Sequence, residues 1–396
     1  MLLNLPGKSI AAAPQGQLGL GASYYAANNE TAPAGLFLKQ GFVRFKNIFS
    51  DQPSSLRLGR FEFVDGTEAI PRSPTLAALV RDRIAHRLVG NFAFSHVGRS
   101  FDGLQYTRAT SRTNITLVAA RATQGVFQVN GWGELDTDIL YGSVTRPLGN
   151  KGEWRVFALS YHDGRPLLKT DNRPAAARAA DHRNIRITSL GGDYLQTFKV
   201  GDAIVDALVW GVGQFGHWGV LDHRAGAIAL EGGIQPDCKF KPWIRGGYFF
   251  GSGDQNPADG NHGTFFQVLP TPRIYARFPF YNLMNNQDAF GEFILRPSPK
   301  WTLRTDAHFL RLSSRNDLWY TGGGAFQTNT FGYVGRASGG ARGLANVYDL
   351  SADYQLNEHV ALTGYYALAS GRALIEKIYP QGPTGQLAYA ELNWKF

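Results

Sequence analysis

Near its C-terminal end the chain alternates with a period of two. In VYDLSADYQL (347–356), Tyr348, Leu350, Ala352, Tyr354 and Leu356 interleave with Val347, Asp349, Ser351, Asp353 and Gln355. After a short turn at Asn357-Glu358, VALTGYYAL (360–368) repeats the pattern, and the final GQLAYAELNWKF (385–396) sets Ala388, Ala390, Leu392, Trp394 and Phe396 against Tyr389, Glu391, Asn393 and Lys395. Successive side chains of a strand point to opposite faces, so each of these segments presents one apolar face and one polar face. A chain that ends on such a strand has to place an apolar face somewhere other than water.

The same period runs through AFGEFILR (289–296) and WTLRTDAHF (301–309), joined by PSPK. Strands are also expected at 17–27, 35–48, 55–64, 102–109, 112–122, 135–145, 153–162, 185–198, 202–216, 221–233, 241–250, 272–281, 328–336 and 384–396, which brings the count to about eighteen (16–18). Residues 1–16 read as an N-terminal extension to a single domain spanning 1–396. Some connections are short, such as NE, SPK and LGNKG. Others are long and rich in Gly, Asp, Asn, Arg or Pro: 65–100, 163–183, 251–271 and 312–327.

Two architectures give alternation of this kind. In a soluble β-sandwich the apolar faces meet in a dry core and the other faces carry ordinary solvated residues. In an antiparallel up-and-down transmembrane β-barrel the apolar face meets lipid and the polar face lines a wet interior, with short periplasmic turns and long extracellular loops. Aromatics at strand ends (Trp154, Trp243, Trp301, Trp394, Tyr348, Tyr366), the 47 glycines and the apolar terminal strand favour the barrel. Lipid cannot satisfy an open sheet edge, so 17–27 is expected to pair with 384–396.

Composition narrows the function. A single cysteine, Cys238, excludes an internal disulfide framework and a thiolate metal cluster. No run of apolar residues is long enough for a helical span. No zinc-helix or phosphate-loop motif occurs, and no cofactor or metal is expected. The formal net charge of +9 suits an anionic partner. Nucleic acid is disfavoured, since no finger spacing, basic helix or long polybasic run is present. The first residues, MLLNLPGKSIAAAPQG, lack the apolar core of a secretory signal, so an exported protein would need a leader that this sequence does not carry.

LRLGRFEFVDG (56–66), GRSFDGLQYTR (98–108), ALSYHDGR (158–165), FGSGDQNPADGNHGTFFQVLPTPRIYA (250–276), LRPSPKWTLRTDAHFLRLSSRNDLWY (295–320) and LANVYDLSADYQLNEHVALTGYYALASGR (344–372) together resemble the alginate export family of bacterial outer-membrane barrels. The resemblance implies an eighteen-stranded monomeric barrel whose arginine-rich lumen passes an acidic exopolysaccharide outward from the periplasm. It also implies that Trp394 and Phe396 form the terminal signal read by the barrel-assembly machinery, and that periplasmic export partners exist.

Strand parity assigns the lumen. Arg44, Lys46, Glu292, Arg296, Arg304, Asp306, His308, Asp349, Asp353, Glu391 and Lys395 are expected to point inward, and so are Arg60, Arg108, Arg121, Arg155, Arg186 and Arg245, in strands of less regular alternation. A guanidinium stays charged and grips a carboxylate with two parallel hydrogen bonds, which suits a polyuronate. Transport demands modest affinity spread over many such groups.

A catalytic reading needs a serine close to a histidine. His308 with Ser313 is one such pair but lies at inward parity, most of the nine histidines sit in loops or turns, and spacing alone builds no triad, so no enzyme is expected. The loop GDQNPADGN falls one residue out of calcium-loop spacing, with Phe265 where a closing glutamate belongs. That loop, TGGGA (321–325) and RASGGARG (336–343) are candidates for a gate. The readings that remain are an export channel for an acidic polysaccharide, an anion-selective or general porin for small solutes, and a structural or adhesive barrel closed by its loops.

Overall fold

The computed structural model describes residues 36–48, 53–95, 97–128 and 131–395. The expected strand 17–27, the extension 1–16 and Phe396 lie outside them, and the pairing of 17–27 with the last strand lies outside them too.

Fifteen strands follow one another in a single antiparallel path. They are β1 (Gly41–Lys46), β2 (Ser54–Phe61), β3 (Phe101–Ala109), β4 (Asn114–Thr123), β5 (Glu134–Pro147), β6 (Gly152–Asp163), β7 (Ile185–Val200), β8 (Ala203–Trp218), β9 (Leu221–Gln235), β10 (Trp243–Gly251), β12 (Asn286–Ser298), β13 (Trp301–Leu312), β16 (Gly343–Gln355), β17 (Val360–Gly371) and β18 (Thr384–Trp394). The short β11 (Asn261–His262) pairs parallel with β9, and β14 (Leu318–Thr321) forms a separate hairpin with β15 (Val334–Ala337).

Each of the fifteen corresponds to a segment expected from the alternation. Two expected strands take other forms. Residues 272–281 hold the 3-10 turn Pro272–Ile274 and no strand, and 328–336 contributes only to the loop hairpin. In the first, Pro272 and Pro279 remove ladder donors. In the second, Gly332 at φ 95 breaks the strand before β15 begins.

Alternation in the sequence becomes alternation in burial. Along β5, Leu135, Thr137, Ile139, Tyr141, Ser143 and Thr145 are buried, while Leu140 between them is 61% exposed on the other face. Leu190, Leu230, Leu350 and Leu392 share that outer face on other strands and are likewise exposed. An apolar band of this extent is a lipid-facing surface. No helix among the described residues is long and apolar enough to cross a membrane.

Connections alternate in length along the path. Short turns join β1–β2, β3–β4, β5–β6, β7–β8, β9–β10, β12–β13 and β16–β17 at one end of the sheet. The other end carries the long connections 62–100, 164–184, 252–285 and 313–342, with a tight turn at Gly219-Val220 as the exception.

The connection 62–100 turns inward instead of standing above the sheet. Gly66 makes that turn at φ 86, where a Cβ would lie 2.9 Å from Ile84 Cγ2. A short helix Pro74–Leu79, with Pro74 at its first position where no amide donor is needed, runs into the π-turn Val80–Ile84. Leu76, Leu79, Ile84, Leu88 and Val89 are fully or almost fully buried, packed with Phe265, Phe266, Val268 and Leu269 from the connection after β10. Val89 and Leu269 form a parallel bridge.

Candidate functional site

Directly paired residues of an antiparallel ladder share a face, so the register sorts every predicted site residue. Glu292, Asp306 and Asp349 form one row with buried Ala367, and Phe290, His308 and Val347 form the next. Arg304 pairs with Ser351 and with buried Ile294, and Asp353 pairs with Thr363, which pairs with Glu391. Arg44, Lys46, Arg155 and Arg245 also lie on the interior face. Arg296 stands over the ring of inward-facing Trp243, and Lys395 keeps the parity of Glu391.

Four of the expected lumen arginines face outward. Arg60, Asp102, Arg121, Asp138, His162 and Arg186 form one continuous cross-strand row. Their neighbours Phe101, Ala122, Ile139, Tyr161 and Ile187 point inward and are buried. Arg60 is held by Asp102 and Arg121 by Asp138, both through paired hydrogen bonds. The row sits at the long-loop end above the apolar band, where an outward charge meets water or headgroups. Arg108 pairs with Ile115 near the short turn 110–113, again on the outer face. Trp243, expected at an interface, points inward and donates Nε1–H to Asp206 (2.7 Å).

The interior is charged, and its charges are largely paired. Arg83 of the inserted segment donates to both oxygens of Glu231 (2.7 and 2.9 Å), Arg87 donates to the same carboxylate (2.9 Å), and Arg245 completes it from β10 (3.2 Å). Arg245 also reaches Asp206, while Arg304 is 3.1 Å from Glu292 and 3.6 Å from Asp82. On the opposite side, Glu68 bonds Tyr141 and meets Arg155, which is tied to Asp193 (2.7 Å). Segment 62–100 is therefore pinned to β5, β6, β9 and β13, so the sheet wraps around it.

Within the segment, burial raises the carboxyl of Asp65 to about 7, although it accepts bonds from the amides of Leu88 and Val89. Burial lowers His86 to about 4. Burial also opposes the charge of Asp82, but Arg81 and Arg304 together hold its carboxyl below the usual range.

Toward the short-turn end the interior opens into a cavity of about 340 Å³. Arg44 and Arg57 are direct cross-strand partners on its wall. Their guanidinium carbons lie 5.7 and 4.5 Å from the ring centroid of Phe42. The acids of the same cavity are engaged: Glu62 by Lys39 (3.0 Å) and Asn91, and Glu68 by Tyr141 and Arg155. No carboxylate within salt-bridge distance of Arg44 or Arg57 occurs among the described residues. Like charges placed directly opposite each other on a sheet are destabilising, so the pair stands out among the charges of this wall.

Arg57 escaped the sequence reading, which placed Arg60 of the same strand inward. The signal was present in LRLGR, because Leu56, Leu58 and Arg60 share one parity and the leucines mark it as the lipid face. Arg83, Arg87 and Arg99 escaped because a loop has no parity to read.

The other candidates resolve simply. Ser313 Oγ donates to the Gly251 carbonyl and His308 Nδ1 pairs with Asp288, so each has a structural partner of its own. The loop 254–261 is closed by local bonds from Asp254, Asn256 and Asp259 to backbone amides two residues on. In TGGGA, the Gly324 carbonyl accepts from Arg99 and so caps the inserted segment.

A family model described as alginate export matches residues 27–377. No curated protein matches the chain. Among solved structures it is similar to OccAB2 of Acinetobacter baumannii, with a TM-score of 0.52 and 9% identity over 86% of this chain and 75% of that one. It is also similar to the BenF-like porin of Pseudomonas fluorescens Pf-5 (TM-score 0.48, 8% identity, 87% and 75% covered). The outer membrane protein OprD of Pseudomonas aeruginosa gives a TM-score of 0.47 at 10% identity, with 86% and 75% covered. With its apolar outer band, charged interior and matched family model, this multi-pass β-barrel is a channel of the bacterial outer membrane and belongs to the alginate export family.

Proposed function

We propose that the channel exports an acidic exopolysaccharide, an alginate-like polyuronate, through an arginine-lined interior, and that segment 62–100 is its closure. The observation that carries this reading is the opposed pair Arg44 and Arg57, on one wall of an open cavity and with no carboxylate partner among the described residues. Lys46 shares that face one step nearer the short turn, and Arg296 and Lys395 lie toward the same end. A basic mouth at the short-turn end, which is the periplasmic end in barrels of this kind, concentrates a polyanion before it enters. The pairing of Arg83, Arg87, Arg245 and Arg304 with acids keeps the deeper field moderate, as release requires. The channel needs no cofactor and acts as a monomer, with periplasmic export partners presenting the polymer and the assembly machinery reading the strand that carries Trp394.

Calorimetric titration of the detergent-solubilised protein with a uronic acid tetramer tests the mouth. The acidic tetramer binds and a neutral tetraose does not, and Arg44→Glu with Arg57→Glu weakens binding at least tenfold. Equal binding of neutral and acidic sugars, or no effect of the double reversal, removes the basis of the reading. Free passage of small anions without interference by the tetramer supports a small-solute porin instead.

A further inference from the structure

We propose that the interior wall between β13 and β16 holds a divalent first-row metal ion, ligated by Asp306, His308 and Asp349. Asp306 and Asp349 are direct cross-strand partners, and His308 lies two residues along on the same face. One ligand atom from each of the three lies within 4.8 Å of the others. Bonds of about 2.0–2.2 Å hold tetrahedral ligands about 3.3–3.6 Å apart, so the three side chains would close by about 1 Å around an ion. The sequence showed no such set because Asp349 reaches it only through the pairing of β13 with β16.

An orphaned oxygen points to the ligand. Asp349 is 8% exposed, and the Tyr365 hydroxyl serves it as a donor. Oδ1 of Asp306 has none among the described residues, and two facing carboxylates are unfavourable unless a cation or a proton joins them. Both line a cavity of about 20 Å³, large enough for an ion or one water and far too small for a sugar.

His308 is oriented from behind. Its Nδ1 lies 2.8 Å from Oδ2 of Asp288, and its ring stacks on Phe290 with centroids 5.8 Å apart. A carboxylate that fixes Nδ1–H leaves the Nε2 lone pair for a metal, the usual carboxylate–histidine–metal arrangement.

Arg277 and Arg304 line the same cavity, but Arg277 donates to Ser351 Oγ (2.6 Å), and Arg304 is taken by Glu292 and Asp82. An imidazole with two carboxylates suits Zn²⁺ or Mn²⁺, whereas Ca²⁺ takes oxygen ligands. This inference is independent of what the channel transports.

Zn²⁺ titrated calorimetrically into the chelator-stripped, detergent-solubilised full chain tests the site. One equivalent binds, and His308→Gln and Asp349→Asn each weaken it more than tenfold. Asp288→Asn, which acts only through His308, weakens it about 10- to 100-fold. Asp202→Asn, in the exposed turn between β7 and β8, leaves it unchanged. Retention of the β-sheet circular dichroism spectrum and of heat-modifiable gel migration establishes that each variant is folded. No saturable Zn²⁺ binding, or binding unaffected by His308→Gln and Asp349→Asn, overturns the proposal and leaves a protonated His308 as the cation of the cluster.

Discussion

Arg99 is buried where no carboxylate meets it among the described residues. It donates to the carbonyls of Gly90 (2.9 Å), Leu269 (2.6 Å) and Gly324 (2.7 Å), tying together three connections that are remote in sequence. Burial lowers its pKa to about 10, so it keeps its charge at neutral pH. Arg99→Ala leaves the buried Gly90 carbonyl without a donor, at about 1–3 kcal/mol, while the Leu269 and Gly324 carbonyls keep the amides of Gly90 and Phe326. Hydrogen exchange is expected to accelerate in 88–92, 269–271 and 324–326 and to stay unchanged in β7 and β8. At this scale the sequence was legible wherever parity could be read. Arg304, Asp306 and His308 of β13 sit in a strand whose Leu303 and Phe309 mark the other face. Arg60 and Arg121 misled because an outward charge at the rim looks like an inward one, and Arg99 carries no periodic signal at all.

Among the elements, segment 62–100 is the closure we propose for the channel. Its anchor is Glu231, which accepts hydrogen bonds from Arg83, Arg87 and Arg245 at once. Removing one partner of a buried ion pair costs about 3–5 kcal/mol. Glu231→Gln is therefore expected to shift the docked-to-released balance of the segment by about 150- to 5,000-fold. Higher single-channel conductance and new protease cuts within 67–90 check this. The strands themselves were legible because β5, β13, β16, β17 and β18 alternate cleanly. The inward course of 62–100 was not, because it depends on ion pairs with β6, β9 and β13 that only the curved sheet brings into range.

The same segment carries two opposed proton switches. Asp65 rises from the usual 3.8 to about 7 when docked, so its contribution to docking is fully present below about pH 4 and lost as pH rises through 7. His86 falls from 6.5 to about 4, so its contribution is present above about pH 6.5 and lost as pH falls through 4. Between these limits the two slopes largely cancel, and docking in the wild type is expected to vary little from pH 4.5 to 6.5. Asp65→Asn leaves the histidine slope, so the channel opens more readily at pH 4.5 than at 6.5. His86→Gln leaves the carboxyl slope and reverses that order. Open probability measured across this range reads both signs, and identical profiles in the two variants would refute the assignment.

For the whole molecule, three zones stack along the strands. A charged row on the outer face at the long-loop end, running from Arg60 to Arg186, lies above the apolar band. Below the band, outward Trp154, Trp301 and Trp394 lie toward the short turns, as interfacial aromatics do. Inside, basic groups open toward the short-turn end and paired charges close the middle. The proposed reading of this arrangement is a basic funnel stopped by its own inserted segment. Planar-bilayer recording of a variant lacking residues 70–96, with uronic acid oligomer added on the short-turn side, tests that description directly. The account predicts a large rise in conductance over the full chain, block by the acidic oligomer but not by a neutral one, and relief of block as salt is raised. A conductance no higher than that of the full chain, or equal block by neutral and acidic oligomers, would contradict it.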